Sequence, residues 1–223
     1  MKSPAIRKQT PAPPQRKRVR ETAAQETRET ILQAATKIFA KNGYSGGRIE
    51  QISKAANSYD RMIYYYFGSK EGLFVAVLED LYRRFSEAES RLNLQDLDPI
   101  DTIKGVITFM WNFYQRNPDF ITLLNDENLQ YGAHIAKIAD AARYSSPVMQ
   151  GIGAALEAGS RQGVLRGGVS ARDVYLMIAS MNYFYFSNRY TLSAFLGEKL
   201  DSPAAIRHWH DFVVDAVLRA LRP

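Results

Sequence analysis

RIEQISKAANSYDRMIYYYFGSKEGL, residues Arg48 to Leu73, is the stretch whose reading decides the fold. Its first part places Ile49, Ile52, Ala55 and Ala56 on one side of a short amphipathic helix. Asn57-Ser58 makes a turn and a second short helix follows, which is helix-turn-helix geometry. On that second helix Ile63 and Phe67 share the side that must be packed. Arg61, Met62 and Tyr65 then point away, with Tyr64 and Tyr66 on the flanks. A face of arginine and tyrosine, where a solvated helix would carry glutamate and lysine, suits a groove better than water. Arginine can pair bidentately with guanine O6 and N7, Met62 can touch a thymine methyl, and tyrosine hydroxyls can reach phosphates.

Working outward, the helical period continues on both sides. Ile31, Ala34, Ala35, Ile38 and Phe39 recur at i, i+3, i+4, i+7 and i+8, and Asn42-Gly43 supplies a stop. Leu73, Phe74, Val77, Leu78, Leu81, Tyr82 and Phe85 draw a long stripe after the motif. Further starts are marked by a capping residue followed by proline: Asp98-Pro99, Asn117-Pro118, Ser146-Pro147 and Ser202-Pro203. Ser170 with Asp173 marks another, after the Gly167-Gly168 turn. The pattern predicts an all-α chain of about nine helices, near 22–42, 48–56, 60–66, 70–92, 99–116, 118–143 (broken near Gly132), 147–162, 171–195 and 203–221. Tyr64 to Phe67 has high strand propensity, but it is short and partnerless, so tertiary context should make it helical.

Charge is unevenly placed. Residues 1–20 hold seven Lys/Arg and no acid, residues 21–70 hold seven bases against five acids, and residues 71–223 hold fifteen bases against eighteen acids. The basic end is built to meet a polyanion. Residues 1–20, with Pro4, Pro11, Pro13 and Pro14 and almost nothing apolar, read as a flexible basic arm, with Arg16, Lys17, Arg18 and Arg20 able to track DNA. The division that follows is arm 1–20, DNA-binding unit 21–70, and a helical remainder 71–223.

There is no cysteine, which excludes disulfides and thiolate chemistry, and residues 1–30 show no secretory apolar core. A cytoplasmic location is expected. Leu176 to Phe186, the most apolar stretch, is too short to span a bilayer. His208 and His210 fall on nearly opposite sides of a helix, His134 has no triad partner in sight, and no glycine-rich phosphate loop occurs. Neither an enzyme, a metal nor a cofactor is expected.

At Phe39-Ala40-Lys41-Asn42-Gly43-Tyr44, Ile49-x-x-Ile52, Ala55-Ala56 and Ile63-Tyr64-Tyr65-Tyr66-Phe67-x-Ser69-Lys70-Glu71-x-Leu73, the sequence resembles the TetR family of bacterial transcriptional regulators. The resemblance covers Thr27 to Leu73 and implies that Tyr64, Tyr65 and Lys70, with Tyr66 beside them, carry groove or phosphate contacts. Gly47 and Arg48 stand where the family has hydroxyl residues, so Arg48 substitutes for a capping hydroxyl's phosphate contact. Asn57 replaces a turn glycine, which an αL-tolerant residue can do. Tyr59, Asp60 and Arg61 replace the family's Ser-Lys-Gly-like opening.

What the resemblance implies for residues 71–223 is a ligand-binding and dimerisation domain. The last helix carries Trp209, Phe212, Val213, Ala216, Val217 and Ala220 at helical spacing, and in the family such helices form a four-helix homodimer interface. Large or polar residues on otherwise apolar helices are the candidate ligand contacts: Trp111, Tyr114, Glu127, Asn128, His134, Asn182 and Tyr185. The expected effector is an apolar or aromatic small molecule. The expected function is a ligand-responsive regulator, a repressor released from a pseudo-palindromic double-stranded operator. A helical interaction protein carrying a basic, aromatic-rich unit is the other reading; salt-dependent, sequence-selective duplex binding separates the two.

Overall fold

The computed structural model describes residues 15–94, 97–138 and 147–223. Among them are nine α-helices and no strand: α1 Gln15–Gly46, α2 Ile49–Ala55, α3 Asp60–Phe67, α4 Lys70–Ser90, α5 Pro99–Arg116, α6 Pro118–Leu129, α7 Pro147–Arg161, α8 Ala171–Leu196 and α9 Pro203–Ala220. The helix starts form as the cap residues dictate. Asp98 accepts from the Ile100 and Asp101 amides, Ser170 from Asp173, Ser202 from Ala205 and Ser69 from Gly72.

Three boundaries depart from the sequence reading. α1 begins at Gln15, so residues 15–20 of the expected arm are helical, while residues 1–14 lie outside the described residues. After Pro14 the chain runs through Arg, Lys, Glu, Ala and Gln, all good helix formers, and nothing stops the helix from extending back. Asn42-Gly43 kinks α1 without ending it: Gly43 takes φ 69°, ψ 174°, and helix resumes to Gly46. α6 stops at Leu129 because Tyr131 and Gly132 both adopt left-handed backbone, and a 3₁₀ turn follows at Ile135–Lys137. Residues 139–143 of the expected span lie outside the described residues.

One apolar core runs the length of the molecule. Ile31, Ala35 and Phe39 of α1 meet Ile52 of α2, Ile63 of α3 and Leu73, Phe74 and Val77 of α4. The same core continues into α5, which packs on α6, α7, α8 and α9.

Candidate nucleic-acid interface and the seam behind it

Burial of Ile49, Ile52 and Ile63 fixes α2 and α3 on the core and leaves their other faces outward. The turn between them works because Asn57 accepts φ 48°, and the Ser58 amide donates back to the Ser53 carbonyl at 2.9 Å. The Ser53 hydroxyl donates to the Asp60 carboxylate, which ties the start of α3 to α2. The outward face then presents Tyr65 (76% exposed) and Tyr64 (51%), with exposed Arg61 beside them and exposed Arg48 at the start of α2. Tyr65 is braced edge-on by Tyr66 at 5.0 Å.

Two of the expected contact residues sit differently. Met62 is half-buried and packs against the core, so it does not stand fully outward as its spacing implied. Lys70 reaches back over the Tyr44 ring at 4.9 Å and donates to the Ser45 carbonyl at 3.3 Å, so it also braces α1 against α4. One further residue belongs to the face: Tyr59, 70% exposed, lies under the Arg61 guanidinium at 5.3 Å. Its sequence signal was a large aromatic at the position just before α3.

Behind this unit lies a polar seam. The Asp126 carboxylate of α6 accepts the Tyr44 amide at 2.8 Å, at the kink of α1, and a β-carbon on Gly43 would stand 2.7 Å from that carboxylate. Glu127 accepts the His134 and Ile135 amides at 2.7 and 2.9 Å, and its other oxygen lies 2.9 Å from His134 Nδ1. The His134 ring sits 4.5 Å from Tyr44 and 4.9 Å from Phe74. Lys137 pairs with Glu71 in the first turn of α4, and its hydrogen bond holds the Glu71 carboxyl below its usual range.

The candidate ligand residues are therefore not one site. Glu127 and His134 are spent on the seam, and Asn128 is exposed with its amide on the Leu124 carbonyl. Trp111 and Tyr185 pack together at 5.3 Å among Phe186, Trp209 and His210, with the Tyr185 hydroxyl donating to the Leu200 carbonyl. Asn182 is buried and donates to the Ile107 carbonyl, while its oxygen has no partner among the described residues. Tyr114 belongs to a second group with Tyr82, Tyr175 and Tyr183, and the Glu89 charge reaches the Tyr114 and Tyr175 phenols.

Burial raises all four phenol pKa values, that of Tyr82 to about 12. Unfolded tyrosines titrate near about 10. Stability from these neutral phenols is thus complete below about pH 10 and is lost as the pH climbs toward 12. In a phenolate absorbance titration these tyrosines should ionise only together with unfolding; ionisation complete near pH 10 with the helices intact would contradict their burial.

On the dimer candidates the outcome is divided. Val213 and Val217 are fully buried inside the protomer, so Val213 is corrected from interface to core: the 213, 217, 221 face of α9 points inward. Ala216 is half-buried. Phe212 is 48% exposed and stacks on half-buried Trp209 at 5.0 Å, and on α8 Leu176, Phe184, Tyr190, Phe195 and Leu196 are exposed too.

No helix among the described residues is long and apolar enough to cross a membrane. A helix-turn-helix with an arginine and tyrosine outer face, joined through α4 to a helical domain, defines a DNA-binding transcriptional regulator. Residues 31–77 match the model of the bacterial regulatory proteins of the tetR family, and residues 99–217 match the tetracyclin repressor-like C-terminal domain. The chain belongs to the TetR family, as the motifs of residues 27–73 implied.

It is similar to the HTH-type transcriptional repressor NicS of Pseudomonas putida, with 46% identity over 92% of this chain and 96% of that protein. The HTH-type transcriptional repressor SCO4008 of Streptomyces coelicolor is 29% identical over 70% of this chain and 77% of its own length. Among solved structures, the transcriptional regulator SCO4942 of Streptomyces coelicolor superposes with a TM-score of 0.65 at 25% identity, over 88% of this chain and 99% of that one.

Proposed function

We propose that this protein is a homodimeric repressor that holds a pseudo-palindromic operator through α3 and releases it when a small molecule binds among the helices of residues 71–223. The observation that carries the reading is the outward face of α3, on which Arg61, Tyr64 and Tyr65 are exposed over a buried Ile63. That NicS and SCO4008 are transcriptional repressors supports repression as its direction. Arg61 and Tyr65 read the groove, with Met62 at its edge. Tyr64, Arg48 and Lys70 hold phosphate. The unit 21–70 is the reader, and a two-fold dimer sets two such readers about 34–36 Å apart.

The test is binding to fragments selected from the source genome, followed by two variants. Arg61→Ala should cost about 1–3 kcal/mol and relax preference at one position per half-site. Lys70→Ala should weaken all sequences alike and flatten the salt dependence. Identical sequence profiles and an unchanged salt slope in both would defeat these assignments. Removing residues 1–14, which precede α1, should lower affinity most at low salt, where screening is weakest. Unchanged affinity would leave that segment no part in binding.

A further inference from the structure

Tyr59 sits where α3 itself has little use for it. It is the N-cap of that helix, with extended backbone (φ −113°, ψ 148°), and its carbonyl accepts from the Met62 amide at 2.8 Å. A serine or aspartate there would also accept, through its side chain, from the free amides of the first turn. The Tyr59 side chain makes no such bond. Its ring is instead 70% exposed and lies 5.3 Å from the Arg61 guanidinium. The backbone on either side is anchored to α2: the Ser58 amide donates to the Ser53 carbonyl, and the Asp60 carboxylate accepts from the Ser53 hydroxyl. Among the described residues Arg61 makes no ion pair and no side-chain hydrogen bond, so its guanidinium donors are unspent.

Arginine tells guanine from other bases through two parallel N–H bonds, so its discrimination depends on how well the guanidinium plane is held. A long side chain free in water samples many rotamers, and ordering it weakens the contact. A guanidinium resting on an aromatic ring keeps few of those rotamers, while the N–H groups in its plane stay available to a base. We propose that Tyr59 is a specificity-determining positioning residue of this reader: its ring holds the Arg61 guanidinium in place for a guanine. The inference rests on the assignment of Arg61 to the groove above. It accounts for a capping position that carries a large exposed ring: helix stability is given up where base selection gains. The attraction between ring and cation strengthens when DNA displaces water from around them, so the pair is tightest in the complex.

The experiment measures binding of the full chain to a duplex selected from the source genome, and to copies of it with each base pair of one half-site replaced in turn. Tyr59→Ala should lower the preference about three- to tenfold at the base pair that Arg61→Ala relaxes, and leave the other positions alone. Tyr59→Phe, which keeps the ring, should keep the preference. Adding Tyr59→Ala to Arg61→Ala should cost nothing further at that base pair. Tyr59→Ser, which supplies the missing cap acceptor, should melt no lower than the parent chain and still lose the preference, which separates selection from folding. A preference that survives Tyr59→Ala while Arg61→Ala removes it would overturn the proposal and leave Arg61 as the reader. Equal losses in Tyr59→Ala and Tyr59→Phe, spread over all sequences, would overturn it in favour of a phosphate contact through the hydroxyl. No change of preference in Arg61→Ala would defeat the groove assignment, and the proposal with it.

Discussion

A chain carrying both Phe184→Glu and Phe212→Glu is expected to elute as a monomer at micromolar concentration and to lose about 10²- to 10⁴-fold in operator affinity. Both side chains are about half exposed in the single chain, at 53% and 48%, so neither is needed for the protomer's own core. Phe184 lies on α8, where Leu176 and Phe195 are exposed too, and Phe212 lies on α9, stacked on the Trp209 ring. Exposed apolar side chains of this size mark an interaction surface, and a two-fold interface repeats every substitution, so four carboxylates would be desolvated together. Operator affinity falls because one reader then binds alone, without its linked partner. Circular dichroism should show unchanged helicity. A dimer that survives both substitutions would place the interface elsewhere.

The second large effect is expected at Glu127. Glu127→Ala leaves the buried His134 amide, the half-buried Ile135 amide and the His134 ring without their acceptor. Stranding buried donors costs about 1–3 kcal/mol each, so a loss of about 3 kcal/mol is a fair expectation once some relaxation is allowed. For a chain of this length that lowers Tm by about 6–12 °C. The seam also holds Tyr44 and Phe74, so operator affinity should fall further than the loss of folded protein explains. Asp126→Ala, which frees the Tyr44 amide at the kink of α1, should share the second effect with a smaller change in Tm. A melting curve unmoved by Glu127→Ala would show that this carboxylate does not organise the seam.

The reader was legible because its information is local. Ile52 and Ile63 announce their burial by spacing, Asn57 announces the turn by tolerating positive φ, and Ser or Asp before Pro announces the starts of α5 and α9. The pocket was not legible, since a polar residue on an apolar helix needs a partner and the sequence does not say whether that partner is ligand or protein. Glu127 and Tyr185 found protein partners.

The sequence by itself determined the helical class, most helix boundaries, the helix-turn-helix and the outward placement of Arg61 and Tyr65. Backbone capping and the helical repeat act over a few residues, and a few residues suffice to read them. Only the tertiary structure decided that Asp126 clamps a kink 82 residues earlier, that Lys137 pairs with Glu71, and that Val213 turns inward while Phe212 next to it faces out. Those outcomes depend on the angle and depth at which whole helices pack. Hydrogen-bond and apolar partners far apart in the chain are chosen by that packing, not by any residue's own neighbours.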